Sequence, residues 1–216
     1  MQNRLAIFDL DGTLLDTIGD LAEACNYMLA LRGLGLHTRE EYAKMVGNGI
    51  LNLVKRALPE ELRTEEYAEE ARRDFVAYYI DHIDRYTCPY DGIREVLHTL
   101  QDEGWSLAVA SNKFDSGTKQ LVASIFPEVK FKAIYGNRED FPLKPDAALV
   151  ELIMKECEAE REMTTMIGDS GVDMQTAKNG GVRSIGCTWG FRSRTELEEN
   201  GADIIVDNPL EILKVL

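Results

Sequence analysis

Histidine and cysteine, the usual soft metal ligands, are scarce in this sequence and badly spaced for the task. His37, His82 and His98 stand far apart, show no metal-ligand spacing and read as structural or surface residues. Cys25, Cys88, Cys157 and Cys187 are scattered with no CxxC pair. They read as reduced thiols in a cytoplasmic protein, mostly core filler. Positive charge is also short: 24 Lys and Arg stand against 38 Asp and Glu, a formal net charge of −14. That excess speaks against nucleic acid or an anionic membrane as the main partner. It also means that an anionic substrate needs a local positive site. No apolar run approaches the roughly 20 residues of a membrane span, and no signal-peptide pattern, internal repeat or low-complexity segment is seen. What remains is 216 residues, 44% of them apolar, enough for one large domain or one domain carrying an insertion.

The chain does have acid at the end of an apolar strand. Residues 5–17 read LAIFDLDGTLLDT. Leu5, Ala6, Ile7 and Phe8 form the continuous apolar run of a buried parallel strand. The run stops at Asp9, Leu10, Asp11 and Gly12. Strand alternation predicts that Asp9 and Asp11 point the same way. At about 4 Å and an effective dielectric of about 20, their repulsion is about 4 kcal/mol. A divalent cation, a lysine or a bound proton has to offset it. An Asp-Gly pair also fits a plain turn. A calcium loop does not fit, because its sixth position, where Gly is required, is Leu14.

After Asp16 the period changes from strand to helix. Leu21, Ala24, Cys25, Met28 and Leu29 make one apolar stripe. Thr38 and Glu41 form a capping box for a short second helix, which Gly47, Asn48 and Gly49 interrupt. A third helix is expected over residues 50–58, stopped by Pro59, and a fourth over 64–83. From residue 92 helices and strands alternate: strands are expected at 106–110, 131–135, 164–167, 182–187 and 203–206, with helices between them and after the last. Such alternation predicts an α/β fold, a doubly wound parallel sheet covered on both faces. The first strand joins that sheet. Residues 1–15 and 86–216 are then the core, and residues 16–85 a small all-helical domain inserted after strand one.

Open parallel sheets bind ligands beyond the C-terminal ends of their strands. The pattern brings Asp9 and Asp11, then Ser111, Asn112 and Lys113, then Lys144, then Gly168, Asp169, Ser170 and Asp173 to those ends. A carboxylate can carry a phosphoryl group as an acyl phosphate. Magnesium takes hard oxygen ligands, among them one or two carboxylates. A hydroxyl and a lysine can hold the remaining phosphoryl oxygens. A second carboxylate can protonate the leaving oxygen and then activate water.

With four motifs in order, the sequence resembles the phosphatase branch of the haloacid dehalogenase superfamily. DLDGT at 9–13, SN at 111–112, Lys144-Pro145 and GDSGVD at 168–173 match its four motifs. The resemblance implies a Rossmann-like core with a helical cap, Mg2+ as cofactor, and an aspartyl-phosphate on Asp9. It makes Asp9 the nucleophile and a metal ligand, and Asp11 the general acid and base with its carbonyl on the metal. Ser111, Asn112 and Gly12 serve the phosphate. Lys144 holds the phosphoryl group and restrains Asp9, Asp169 completes the metal ligands, and Asp173 supports Lys144 or metal-bound water, with Ser170 beside it. The family more often has Thr where this chain has Ser111.

The cap has to set the substrate. VGNG at 46–49, SNK at 111–113 and TWGFRS at 188–193 together look like phosphoglycolate phosphatases. Gly47, Asn48 and Gly49 are therefore candidate substrate residues, with Lys44 and Lys55 as candidates for a substrate carboxylate, while Trp189 to Arg192 read as core packing. The expected partner is a small phosphorylated metabolite, with the protein a monomer or homodimer. A pyrophosphatase or sugar phosphomutase of the same superfamily is the alternative. A non-enzymatic interaction protein on the same fold is the reading of a different class.

Overall fold

Residues 3–216 are described by the computed structural model. In chain order the strands and helices are β1 (Leu5–Phe8), β2 (Leu15–Asp16), α1 (Ile18–Leu31), α2 (Arg39–Met45), α3 (Ile50–Ala57), α4 (Glu65–Asp81), β3 (Cys88–Pro89), α5 (Ile93–Asp102) and β4 (Ser106–Phe114). They continue with α6 (Asp115–Ile125), β5 (Phe131–Asn137), α7 (Ala148–Cys157), β6 (Thr164–Gly168), α8 (Gly171–Gly180), β7 (Arg183–Cys187), α9 (Arg194–Glu199), β8 (Ile204–Val206) and α10 (Ile212–Val215). The chain forms two compact units, one of residues up to Asp16 with Pro89–Leu216, the other Thr17–Cys88.

Among the described residues the main sheet of the first unit has six parallel strands in the order β5-β4-β1-β6-β7-β8. β1 lies between β4 and β6, with Phe8 opposite Val109 on one side and Ile167 on the other. The chain winds outward from β1 through β4 and β5, then returns to β6 on the opposite side. Such a reversal opens a crevice beyond the strand ends. Leu5 and Ile7, together with Ala108, Ala110 and Met166, present a buried apolar face, and α7 covers it with Leu149, Val150, Ile153 and Cys157. That helical spacing is the stripe needed to lie on a sheet. Each fully buried Leu or Ile of this layer contributes about 1.5–3 kcal/mol.

Two stretches differ from the sequence expectation. β4 does not stop at Ala110 but runs on through Ser111, Asn112 and Lys113 to Phe114. β1, in contrast, ends at Phe8, and a tight turn follows. The Leu10 carbonyl accepts N–H bonds from Thr13, Leu14 and Leu15 at 3.3, 3.0 and 3.0 Å. Strand alternation therefore does not govern Asp11.

The second unit holds α1 to α4 around Met28, Leu29, Tyr42, Val54, Phe75 and Tyr79, all fully buried. The capping box of Thr38 and Glu41 opens α2, and the Thr64 hydroxyl accepts from Tyr67 N–H at the start of α4. Tyr79 is core, whereas Tyr78 stacks between Tyr27 and His82, with ring centroids 4.1 and 4.0 Å away. Asp20, 1% exposed, accepts from the main-chain N–H groups of Tyr86 and Thr87 and from the Thr87 hydroxyl, the last at 2.7 Å. A Cβ on Gly19 would lie 2.7 Å from Cβ of Tyr86. The first turn of α1 and the last residues of this unit are thus held side by side.

Candidate active site

β1, β4 and β6 end at one edge of the sheet, and the loop after β5 reaches the same place. Asp9 follows β1 directly, and its N–H donates to the Ile167 carbonyl at 2.9 Å. Lys144, 3% exposed, places Nζ 2.9 Å from Asp9 Oδ1 and 2.6 Å from Asp173 Oδ1. Asp173 Oδ2 accepts from the Ser170 N–H at 3.1 Å and from its hydroxyl at 2.6 Å. Asp169, 2% exposed, accepts from Phe191 N–H at 2.7 Å, and the Thr13 hydroxyl lies 3.5 Å from its other oxygen.

Asp9, Asp169 and Asp173 each offer a carboxylate oxygen, and these oxygens lie within 4.8 Å of one another. Two unit charges at that distance repel by about 3 kcal/mol at an effective dielectric of about 20. Burial, and then the Asp173 carboxylate, push Asp9 up to about 7 against the pull of the Lys144 ammonium. Burial, with Asp173 and Asp9, also raises Asp169 well above the usual carboxylate range. Burial opposes the Lys144 charge, but Asp173 and Asp9 outweigh it and hold the ammonium above the ordinary lysine range. One lysine among three buried carboxylates leaves negative charge uncompensated. This all-oxygen donor set fits a hard divalent cation.

The sequence argument sets Asp9 against Asp11, and the structure adds Asp173 and Asp169 to the cluster. Asp11 does raise Asp9, but less than burial and Asp173 do. Asp11 has its own lysine: Lys113 Nζ lies 3.3 and 3.5 Å from its two oxygens.

The family profile of haloacid dehalogenase-like hydrolases matches residues 6–187. The chain belongs to that family. A phosphoglycolate phosphatase of Pseudomonas savastanoi pv. phaseolicola is 35% identical over 213 residues, covering 94% of this chain and 76% of that one. A phosphoglycolate phosphatase of Aquifex aeolicus is 29% identical, covering 99% of this chain and 96% of its own. A crystal structure of a Lactobacillus delbrueckii subsp. bulgaricus protein superposes with a TM-score of 0.92 at 32% identity, covering 100% of this chain and 98% of the other.

In this haloacid dehalogenase-like hydrolase Ser111 is 2% exposed at the end of the buried part of β4, and its oxygen accepts from Lys113 N–H at 3.2 Å. Asn112 has a structural task as well. Its side-chain amide donates to the Lys144 carbonyl and accepts from the Lys144 N–H, both at 2.9 Å. These two bonds fix the main chain at Lys144 and leave the amide one further N–H. Gly12 has φ +87°, and a Cβ there would sit 2.4 Å from Asp169 Oδ2.

The loop read as core packing closes over this turn. Trp189 Nε1 donates to the Thr13 carbonyl at 3.0 Å. A Cβ on Gly190 would meet Gly12 O at 2.3 Å and Asp169 Oδ2 at 2.4 Å. Glycine at 190 is what allows Phe191 N–H to reach Asp169. Gly47, Asn48 and Gly49 lie in the second unit as three consecutive positive-φ residues, with Asn48 exposed at φ +60°. The Asn48 carbonyl accepts from Asn52 Nδ2 at 2.7 Å, and Gly47 O from Arg56 at 3.0 Å. Lys55, a candidate for a substrate carboxylate, is taken up by Glu65. Among the described residues no helix is long and apolar enough to cross a membrane.

Proposed function

We propose that this hydrolase is a magnesium-dependent phosphatase that removes phosphate from a small monoester, phosphoglycolate in the first instance, through an aspartyl-phosphate on Asp9. The observation that carries the reading is the Lys144 ammonium held between Asp9 and Asp173 inside a buried carboxylate cluster. Asp9, Asp169 and Asp173 are the side chains that would hold the cation, with the Asp11 carbonyl added by the family resemblance. When bound, the cation supplies positive charge against the transferring phosphoryl oxygens.

The residues divide the work by position. Lys144 fixes Asp9 and faces the phosphoryl oxygens, and the Ser111 hydroxyl and the main chain at Gly12 hold the rest. An Asp9 oxygen attacks phosphorus as the ester P–O bond breaks, and Asp11 gives its proton to the leaving oxygen. Asp11 then takes a proton from water as the water oxygen attacks phosphorus, and the bond from Asp9 to phosphorus breaks. Asp173 does not react; it orients Lys144. The named relatives support phosphoglycolate as substrate.

Turnover in H218O tests the reading. If water attacks phosphorus, as proposed, the label appears in free phosphate and the peptide containing Asp9 stays unlabelled. A single turnover with excess enzyme, quenched in acid, shows phosphate bound to that peptide. Absence of a phosphorylated Asp9 peptide, with turnover intact, would rule out the covalent route.

A further inference from the structure

We propose that Lys113 recognises a carboxylate on the leaving group, which makes the core itself selective for short phosphate monoesters of hydroxy acids. The inference rests on the phosphatase reading above and extends it to the leaving-group side. Lys113 is 5% exposed overall and its side chain 2%. A lysine so deeply buried carries a desolvation cost of several kcal/mol unless it faces negative charge. The phosphoryl side of the site already has its cation in Lys144, with contacts of 2.9 and 2.6 Å. Lys113 stands instead beside Asp11, the residue assigned to the leaving oxygen.

Its contact with Asp11 differs in kind. The two N···O distances of 3.3 and 3.5 Å exceed the roughly 2.7–2.9 Å of a strong charge-assisted bond. A contact this loose can be shared with a second anion at small cost. Ser111 and Lys113 are two residues apart on β4, both buried, and the Lys113 N–H donates to the Ser111 hydroxyl oxygen at 3.2 Å. Ser111 meets the phosphoryl group, so Lys113 meets what lies next to it. In phosphoglycolate that is a carboxylate, two bonds from the ester oxygen. An alkyl leaving group would gain nothing from a buried ammonium.

Two phosphonates read this out without turnover. 3-Phosphonopropionate keeps the carboxylate and replaces the ester oxygen by carbon; propylphosphonate lacks the carboxylate. Titrated in magnesium, the wild-type protein is expected to bind the first at least about 10-fold more tightly, the lower range for one hydrogen bond between charged groups. Lys113→Met is expected to bring the two affinities within about 3-fold of each other, and Lys113→Arg to keep most of the preference. A wild-type protein with no preference, or a preference that survives Lys113→Met, overturns the proposal. Should Lys113→Met fail to fold, Lys113→Gln replaces it, and a preference that survives Lys113→Gln overturns the proposal. Hydrolysis of phosphoglycolate and ethyl phosphate is followed in parallel. Lack of turnover with the binding preference intact would refute the catalytic reading and leave the recognition by Lys113 standing.

Discussion

Raising the pH on the metal-free protein should weaken it between about pH 4 and pH 7, and magnesium should reverse the loss. Asp9 titrates at an ordinary 3.8 in the unfolded chain but is pushed up to about 7 in the fold. Between those values the folded state binds more protons than the unfolded state, so stability falls as pH rises. The stability is fully present below about pH 4 and lost by the time pH passes 7. At 1.36 kcal/mol per pH unit, the gap corresponds to about 4 kcal/mol. For a chain of this length that is a drop of about 8–16 °C in the thermal midpoint. Asp169 is raised for the same reason and acts in the same direction. The assay is thermal unfolding across pH 4–8, with chelator or with magnesium, on the wild type and on Asp9→Asn. The amide cannot titrate, so its metal-free profile should be flatter by about that amount, and it should hydrolyse no ester. Magnesium competes with protons for the carboxylates, so its stabilisation should grow with pH; at 100 times its dissociation constant it adds about 2.7 kcal/mol. Parallel metal-free profiles for wild type and Asp9→Asn would refute the reasoning.

Other substitutions separate the site's parts. Gly190→Ala should lose about 1–3 kcal/mol in urea unfolding and about 100-fold in turnover, since the new methyl displaces the Gly12 turn or Asp169; wild-type values in both would show that the loop yields freely. Asn112→Ala removes both bonds to the Lys144 main chain and should lower kcat by about 100-fold while changing KM little, measured on a generic ester. An unchanged kcat would mean that Lys144 is held without it. Asn48→Gly keeps the positive φ and should unfold within about 0.5 kcal/mol of wild type, whereas Asn48→Val should lose about 1–2 kcal/mol. If Asn48 takes part in specificity, Asn48→Gly shifts the ratio of phosphoglycolate to ethyl phosphate turnover; equal losses on both would leave the loop a structural element.

Much of this site was legible in the sequence because its chemistry sits at strand ends. Asp9, Ser111 and Asp169 each follow an apolar run that periodicity identifies, and Lys144 follows a fourth. The parts that escaped notice did so for identifiable reasons. Asp11 was placed by strand alternation, but the Leu10 carbonyl gathers three N–H groups and ends the strand early. Lys113 was named at its strand end but given no role, because lysines are almost always solvated and polarity hid the continuation of β4 to Phe114. The family resemblance assigns Asn112 to the phosphate, and only the fold reveals its grip on the main chain at Lys144. The role of Gly190 depends on a contact with Gly12 across most of the chain, which local pattern cannot carry. β2 and β3 have two residues each, too few for any period to show.

The carboxylate of Asp20, gripping Tyr86 and Thr87, has a consequence for how such a protein can change. It fastens together the two ends of the segment Thr17–Cys88. A segment closed on itself in this way can be lengthened, shortened or exchanged for another while the strands of the other unit keep their register. Ancestors of this protein could therefore exchange the whole module with the carboxylate cluster of Asp9, Asp169 and Asp173 left in place.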